Sequence, residues 1–204
     1  MKSLLVFVVT ALMVTCWSGS APAFLYSVDD GSHEEVIGLS GGGNLTWMNQ
    51  FFQTPGADTI NRVLVAWGDI PDGTPGTVSI WSDPSGTGNP AGRVLLTSRS
   101  VTVINSNTDI FNAYCITPTT VTGSFFVGIE MTIADLQWPA SLDTTSTYMS
   151  SWIGALDSGL PFDLIDNYGF AGNWLIRAEA VPEPSTFLLL GAGLGGLALL
   201  RRRK

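Results

Sequence analysis

The chain of 204 residues is 13% charged and 45% hydrophobic, which is long enough for one domain with a buried core and too apolar for a disordered chain. Its two cysteines and single histidine exclude a disulfide-dense scaffold and most zinc or Ser-His-Asp chemistry. Between Asp29 and Glu183 lie all 17 acidic residues against four arginines and no lysine, a net charge of −13. Such a surface repels phosphate backbones, so a nucleic-acid partner is excluded.

Residues 1–23 have the pattern of a secretory signal peptide. A basic residue precedes an apolar run from Leu4 to Val14, and Ala21 and Ala23 provide the small residues of a cleavage site. We therefore predict export and a mature chain that begins at Phe24. The apolar run of about 11 residues is shorter than the roughly 20 that span a bilayer, so an uncleaved anchor is the less favoured alternative.

Residues 24–181 alternate short β-branched or aromatic runs with clusters of glycine, proline, aspartate and asparagine. This pattern predicts strands joined by turns, and no stretch has the sustained 3.6-residue apolar period of a helix. The clearer predicted strands are Leu45–Phe52, Thr59–Trp67, Thr77–Trp81, Val94–Val103, Ile110–Ile116, Phe125–Met131, Tyr148–Ile153 and Trp174–Ala180. We predict an all-β domain, an antiparallel, jelly-roll-like β-sandwich, with a β-barrel as the alternative.

The cysteine content of the exported chain is unusual for an oxidising compartment. Cleavage after Ala23 would leave Cys115 as the single cysteine, so the mature domain has no internal disulfide. Because Cys115 lies in the apolar stretch Ile110–Ile116, we expect a buried and unreactive thiol.

Catalytic and metal-binding patterns are weak in this domain. His33 lies among acidic residues, a pattern more typical of a solvated acidic run than of a metal site. Glu130 lies inside a strand, where a solvent-facing residue is a better interpretation than one half of a glycosidase carboxylate pair. We therefore predict no catalytic residue, no metal ligand and no cofactor. The alternative is a structural calcium ion held by Asp157, Asp163 and Asp166, or by Asp69 and Asp72.

Six tryptophans lie in the predicted domain, and core packing is the favoured interpretation for most of them. Trp81 and Trp138 are the best candidates for an exposed contact with a sugar ring, because nearby prolines place both at strand ends.

The composition changes abruptly after Val181. Pro182, Glu183 and Pro184 form a segment that cannot be helical, and the apolar stretch 186–200 predicts one membrane helix of about 22 Å. Such a helix is shorter than the roughly 30 Å hydrocarbon core. The chain closes with four basic residues that are predicted to stay in the cytoplasm. They are Arg201, Arg202, Arg203 and Lys204.

This tail resembles the PEP-CTERM sorting signal of certain Gram-negative bacteria, which joins a Pro-Glu-Pro motif, a short glycine-rich helix and a basic cluster. The resemblance covers residues 182–204 and implies that Pro182, Glu183 and Pro184 are recognised by exosortase, a membrane processing enzyme. It also implies removal of the helix and the basic cluster. A simple C-terminal membrane anchor is the alternative, and both place the preceding domain outside the cytoplasm.

The domain more distantly resembles β-sandwich modules of secreted bacterial proteins, through strand and turn patterns such as Val78–Trp81 and Gly172–Ala178. We expect a non-enzymatic protein that passes through the export machinery and an inner-membrane intermediate to the cell surface or the extracellular polysaccharide matrix. A carbohydrate-binding module for exopolysaccharide is the alternative function, and a carboxylate-based glycoside hydrolase is a remote one.

Overall fold

The computed structural model describes residues 23–181, which form 14 β-strands and three short 3₁₀ turns. All strand pairs are antiparallel, so the prediction of an all-β antiparallel fold is confirmed. The strands are β1 (Phe24–Tyr26), β2 (Glu35–Ile37), β3 (Gly43–Phe52), β4 (Thr59–Val65), β5 (Trp67–Asp69), β6 (Pro75–Ser82), β7 (Val94–Thr102), β8 (Asn112–Thr120), β9 (Ser124–Ile133), β10 (Trp138–Asp143), β11 (Ser151–Ala155), β12 (Leu160–Leu164), β13 (Asn173–Trp174) and β14 (Ile176–Val181). The 3₁₀ turns are Pro90–Gly92, Leu156–Ser158 and Ile165–Tyr168.

The strands form three sheets. The largest has the order β12-β11-β3-β9-β6-β7, and a four-stranded sheet has the order β1-β14-β4-β8. A small sheet has the order β13-β10-β2, with β5 also paired to β10. Buried side chains from all three sheets form one hydrophobic cluster, so the sheets share a single core. Trp47, Trp67 and Trp174 are among its largest members.

The predicted signal peptide, the predicted tail and its membrane helix lie outside the described residues, apart from Ala23 at the start. Within residues 23–181, no helix is long and apolar enough to cross a membrane.

Each of the eight predicted strands overlaps an observed strand, whereas β1, β2, β10 and β12 were not predicted, and β5 and β13 overlap predicted strands by Trp67 and Trp174 alone. β1, β2 and β5 have three residues each, too few to establish an alternating pattern. β10 was missed for a different reason, since its sequence from Pro139 to Leu142 is buried throughout and does not alternate.

The expectation of a buried Cys115 is wrong, because its side chain is exposed. β8 is an edge strand of the four-stranded sheet, and its inward positions are Asn112 and Ile116. Since side chains alternate along a strand, Cys115 leaves the opposite face of the sheet.

A buried amide connects the largest sheet to the chain segment where β13 gives way to β14. Asn49 on β3 faces the core and is completely buried. Its Nδ2 donates to the carbonyl oxygens of Trp174 at 2.8 Å and Ile176 at 2.9 Å, on either side of the break. Its Oδ1 accepts from Ser151 Oγ at 2.7 Å, and the same Oγ accepts from the Trp174 backbone N–H at 3.1 Å. Every polar atom of this side chain is therefore paired without water.

We predict that Asn49→Ala lowers the free energy of unfolding by about 3 kcal/mol. The substitution leaves two buried carbonyls and the Ser151 hydroxyl without this partner, at about 1–3 kcal/mol for each unsatisfied group before relaxation. Urea unfolding measures the change. Asn44→Ala on the same strand is the matched control, since Asn44 is exposed and should lose about 0.5 kcal/mol or less. Equal losses in the two variants would contradict the role assigned to Asn49.

Candidate functional site

The tryptophans separate into a buried and a half-buried group. Trp47, Trp67, Trp81 and Trp174 are at most 4% exposed, whereas Trp138 and Trp152 are partly exposed. Of the two sugar-contact candidates from the sequence, Trp138 therefore remains accessible. The expectation that Trp81 is exposed is wrong.

Trp81 is buried because the loop from β6 to β7 folds back over the outer face of the largest sheet. The Asp83 carboxylate fixes this loop by accepting from Ser85 Oγ at 2.7 Å and from the Gly88 N–H at 2.8 Å. Burial works against the ionised carboxylate, but these hydrogen bonds outweigh it and lower the pKa of Asp83. The loop ends with the Arg93 guanidinium 5.2 Å from the ring of Trp81.

Trp81 thus belongs to a second hydrophobic cluster, which we call the outer cluster. Its buried members are Met48, Trp81 and Phe126, and Trp152 and Phe162 pack against them. The Arg93 guanidinium also stacks on the ring of Phe162 at 4.2 Å, a cation–π contact that closes the cluster.

Glu130, the acid singled out from the sequence, lies on this outer face beside a polar groove of about 480 Å³. Its carboxylate is 3.9 Å from Arg93 Nη2 and accepts from Ser79 Oγ at 3.4 Å. It is the single carboxylate among the groove-lining residues. Within the described part of the chain, this groove therefore lacks the acid pair of glycoside hydrolysis.

Trp138 opens onto a hollow of about 490 Å³ on the small sheet. We call it the Trp138 hollow. Its lining residues are Glu34, Glu35, Val36, Ile37, Gly38, Trp138 and Phe170. Five consecutive residues come from β2 and its flanks, Trp138 begins β10, and Phe170 comes from the loop before β13. The apolar side chains therefore form the wall, and Glu34 and Glu35 lie at its border. The Glu34 carboxylate accepts from Ser32 Oγ at 3.2 Å and from the Thr144 N–H at 2.8 Å.

Close backbone approach shapes this hollow. A Cβ atom at Gly38 would lie 2.0 Å from the Gln137 carbonyl oxygen, and one at Gly68 would lie 2.3 Å from the Trp138 carbonyl oxygen. Real Cβ atoms do not approach so closely, so glycine at both positions lets β2 and β5 pack against the start of β10.

Polar groups surround the apolar wall. Glu35 is exposed, and within residues 23–181 no hydrogen bond or ion pair engages its carboxylate. Asp69 on β5 is also exposed and lies directly opposite Trp138 in the strand register, so the two side chains leave the sheet on the same side. Ser141 lies directly opposite Val36, and its buried hydroxyl has no hydrogen-bond partner in the described part of the chain.

Glu34 also belongs to a carboxylate cluster. One carboxylate oxygen each of Asp30, Glu34 and Asp143 lies within 4.8 Å of the others. Asp143 is buried and accepts from the Asp30 and Thr145 N–H groups at 2.9 and 2.8 Å. Backbone and side-chain hydrogen bonds from Ser32 lower the pKa of Asp30. These hydrogen bonds give the cluster a structural role, because they stabilise the turns that contain Asp30 and Asp143.

The other acidic residues that the sequence analysis singled out do not form a three-carboxylate cluster within residues 23–181. His33 Nδ1 lies 2.6 Å from the carboxylate of Asp109. Asp157, Asp163 and Asp166 accept hydrogen bonds from Asn44, Asn167 and Thr147, respectively. Asp72 accepts from two backbone N–H groups of the following loop. Among residues 23–181, no second group of three metal-ligating side chains lies within 4.8 Å, so the predicted calcium ligands are not brought together as a three-carboxylate site.

A buried ion pair lies close to the carboxylate cluster. The side chain of Asp29 is completely buried and accepts from Arg177 Nε at 3.0 and 3.1 Å, while the guanidinium lies 4.0 Å from the Phe111 ring. Burial raises the pKa of Asp29, and the pairing with Arg177 only partly offsets this. The pair therefore fixes the β1–β2 loop to β14 at a desolvation cost.

Sequence reasoning identified Trp138 but missed the rest of the hollow. Phe170 lies in an irregular loop, and Glu35 lies in a strand of three residues, so neither had a periodic pattern around it. A pair of glycines at positions 38 and 68 was the one available signal, because a glycine inside or beside a strand often marks close backbone approach.

The tail of the chain matches a known sorting signal. Residues 180–204 match the family model of the PEP-CTERM protein-sorting motif. The resemblance drawn from the Pro-Glu-Pro motif, the apolar stretch and the basic cluster is therefore confirmed, although the match covers a small part of the chain.

The remaining comparisons concern the fold. No curated protein sequence matches the chain. A clostridial cysteine protease, Cwp84, in a cysteine-to-alanine variant after propeptide cleavage, is similar with a TM-score of 0.61 and 14% identity over 79% of this chain. A structure of the cysteine protease and lectin-like domains of Cwp84, a surface layer associated protein of Clostridium difficile, gives 0.53 and 13% over 81%. The chain spans 40% and 37% of these structures.

We predict a large loss of stability when one partner of the buried ion pair is replaced and almost none when both are replaced. Asp29→Ala leaves the Arg177 guanidinium without its carboxylate and should cost about 3–5 kcal/mol of unfolding free energy. The double variant Asp29→Leu with Arg177→Met should lie within about 1 kcal/mol of the wild type, because it removes the desolvation cost together with the attraction. Denaturant unfolding of the three proteins measures both effects.

The pH dependence provides the control. Because the folded pKa of Asp29 is raised above its usual 3.8, the unfolded chain releases this proton first. The stabilisation that this group contributes is present below the unfolded pKa and is lost as pH rises through the folded pKa. The wild type should therefore lose stability relative to the double variant across that interval. A stability difference between the wild type and the double variant that does not change with pH would contradict the role assigned to Asp29.

Proposed function

We propose that this protein is an exported, non-enzymatic component of the cell surface or extracellular matrix, whose β-rich domain binds polysaccharide through the Trp138 hollow. The PEP-CTERM motif indicates an exported protein directed to exosortase. The finer steps belong to the proposal. They are cleavage at the signal peptide, an inner-membrane intermediate held by the helix at 186–200, recognition of the Pro-Glu-Pro motif, and release to the surface.

The fold is consistent with a binding module. We infer that the domain is a jelly-roll-like β-sandwich, because the two larger sheets and the small sheet share one core. One of the structural neighbours contains a lectin-like domain by its own description. Since residues 23–181 are all-β, we propose that the shared fold is that of the lectin-like domain and not of the protease.

The Trp138 hollow is the observation that carries the binding function. It combines two accessible aromatic side chains, Trp138 and Phe170, with the exposed carboxylate of Glu35. Aromatic faces pack against the apolar faces of sugar rings, while carboxylates accept hydrogen bonds from hydroxyl groups. Its volume of about 490 Å³ lies within the range of small-ligand sites.

The hydrolase alternative has weaker support. Glu130 is held by Arg93 and Ser79 in a groove without a second lining carboxylate, so its surroundings favour a structural role. A binding function requires no such pair.

Deleting residues 182–204 tests the sorting part of the proposal. The truncated protein should be exported but should no longer be processed by exosortase or retained at the surface, because its recognition motif is absent. Fractionation of the native host, with the intact mass of the recovered protein, measures this. Replacing Pro182, Glu183 and Pro184 by alanine while keeping the helix separates recognition from anchoring. Unchanged surface retention in both variants would refute the sorting proposal.

Trp138→Ala tests the binding part. Loss of this aromatic wall should weaken binding to the host's extracellular polysaccharide about tenfold or more, which corresponds to about 1.4 kcal/mol or more. Trp152→Ala is the matched control, since Trp152 is also half-buried but lies at the outer cluster. Phe170→Ala should reproduce the loss at the hollow. Equal binding by the Trp138 and Trp152 variants would contradict the proposed site, and thermal unfolding verifies that each variant is folded.

A further inference from the structure

Resting on the proposed function, we infer that the Trp138 hollow selects polysaccharides with positively charged amino sugars, such as chains of de-N-acetylated glucosamine, over neutral or uronic-acid chains. The inference comes from the charges that border the hollow and from the aromatic residues that line it.

Three acidic residues lie at or near the apolar wall. Glu34 and Glu35 line the hollow, and Asp69, which is not a lining residue, lies directly opposite Trp138 on the neighbouring strand. The Glu34 carboxylate accepts hydrogen bonds from Ser32 Oγ and the Thr144 N–H. Glu35 and Asp69 are exposed, and neither is engaged by a hydrogen bond or an ion pair within residues 23–181. Glu34 is adjacent to two further carboxylates, Asp30 and Asp143. The local potential at the hollow is therefore negative.

Each arginine in the described part of the chain is engaged by another group, although the attraction of Arg177 also reaches Asp30. None of them lines the hollow. Arg62 pairs with Glu179, and Arg93 pairs with Glu130 and stacks in the outer cluster. Arg177 is taken by Asp29, and Arg99 donates to the Cys115 carbonyl oxygen. An ammonium group entering the hollow would thus meet carboxylates without a competing guanidinium.

The aromatic wall adds to the preference for a cation. An ammonium group near the face of a tryptophan or phenylalanine is attracted by the ring quadrupole, and this attraction grows when water is excluded. A uronic acid would instead bring a carboxylate among three others, and like charges in such a site are unfavourable. A protonated amino sugar meets both requirements, since its ring packs on the aromatic side chains and its amine faces the carboxylates.

The experiment compares a glucosamine hexamer with its N-acetylated form, which differs only at the amino group, and adds an acidic sugar and a simple polyamine as controls. Isothermal titration of the purified full-length protein uses a β-1,4-linked glucosamine hexamer, its fully N-acetylated counterpart, a galacturonic acid hexamer and spermine. The glucosamine hexamer should bind about tenfold more tightly than the acetylated one, and the uronic acid hexamer should not bind measurably. The preference should decrease at about 1 M salt, where the Debye length is about 3 Å, but part of it should remain because charges in contact with a partly desolvated ligand are screened less.

Charge-neutralising variants locate the effect. Glu35→Gln and Asp69→Asn should each weaken glucosamine binding about twofold to fivefold and weaken binding of the acetylated hexamer by less, so that the preference for glucosamine falls, as expected for exposed charge pairs. Asp157→Asn removes the same charge from the turn after β11 and is the matched control, with no expected change.

The outcomes separate this inference from the function on which it rests. If the acetylated hexamer binds as tightly as the glucosamine hexamer and Trp138→Ala still weakens binding, the charge preference is overturned but the glycan site is kept. Absence of binding by every oligosaccharide refutes the glycan function itself. If Trp138→Ala does not change glucosamine binding, the inference is overturned, because the ligand is then attracted to the acidic surface in general. If spermine binds as tightly as glucosamine and depends on Trp138, the inference is also overturned, because the hollow then recognises any amine.

Discussion

The arrangement of the three sheets depends on how the chain passes from β13 to β14. β13 pairs with β10 in the small sheet and β14 pairs with β4 in the four-stranded sheet, so the chain changes sheets at Leu175. A change of sheets turns backbone carbonyls away from both ladders and into the core, where an unpaired carbonyl is costly. The Asn49 amide binds the carbonyls on both sides of Leu175 from the third sheet. One polar side chain thereby holds the small sheet, and with it the Trp138 hollow, in a fixed position.

The sequence predicts those strands that bury one face in the core and turn the other face toward a different environment. Phe125, Val127, Ile129 and Met131 alternate on β9 because one face of the largest sheet meets the core and the other meets solvent or the outer cluster. Asn49 shows the limit of this reasoning, since an asparagine among core positions of β3 looks like an error until its partners, more than 100 residues away in the sequence, are known. Short strands and the change of sheets depend on such distant contacts and leave no local pattern.

The same distinction applies to the two tryptophans. Both lie at strand ends, but Trp81 is covered by a loop whose Asp83 hydrogen bonds bring Arg93 over its ring. Trp138 is instead partly exposed at the hollow. Local sequence could place both residues at strand ends, but it could not predict that the loop after β6 folds so that Arg93 covers Trp81.

The abundance of acidic residues makes the position of the acids more informative than their number. A domain with four arginines and no lysine attracts every cation at long range, so net charge alone cannot provide selectivity. Long-range attraction is screened beyond about 10 Å at ordinary ionic strength, whereas carboxylates in contact with a partly desolvated ligand are screened much less. Discrimination among polysaccharides therefore has to arise where free carboxylates and an aromatic wall occur together. Within the described residues, Glu35 and Asp69 beside Trp138 meet that condition, whereas Glu130 in the polar groove is already paired with Arg93.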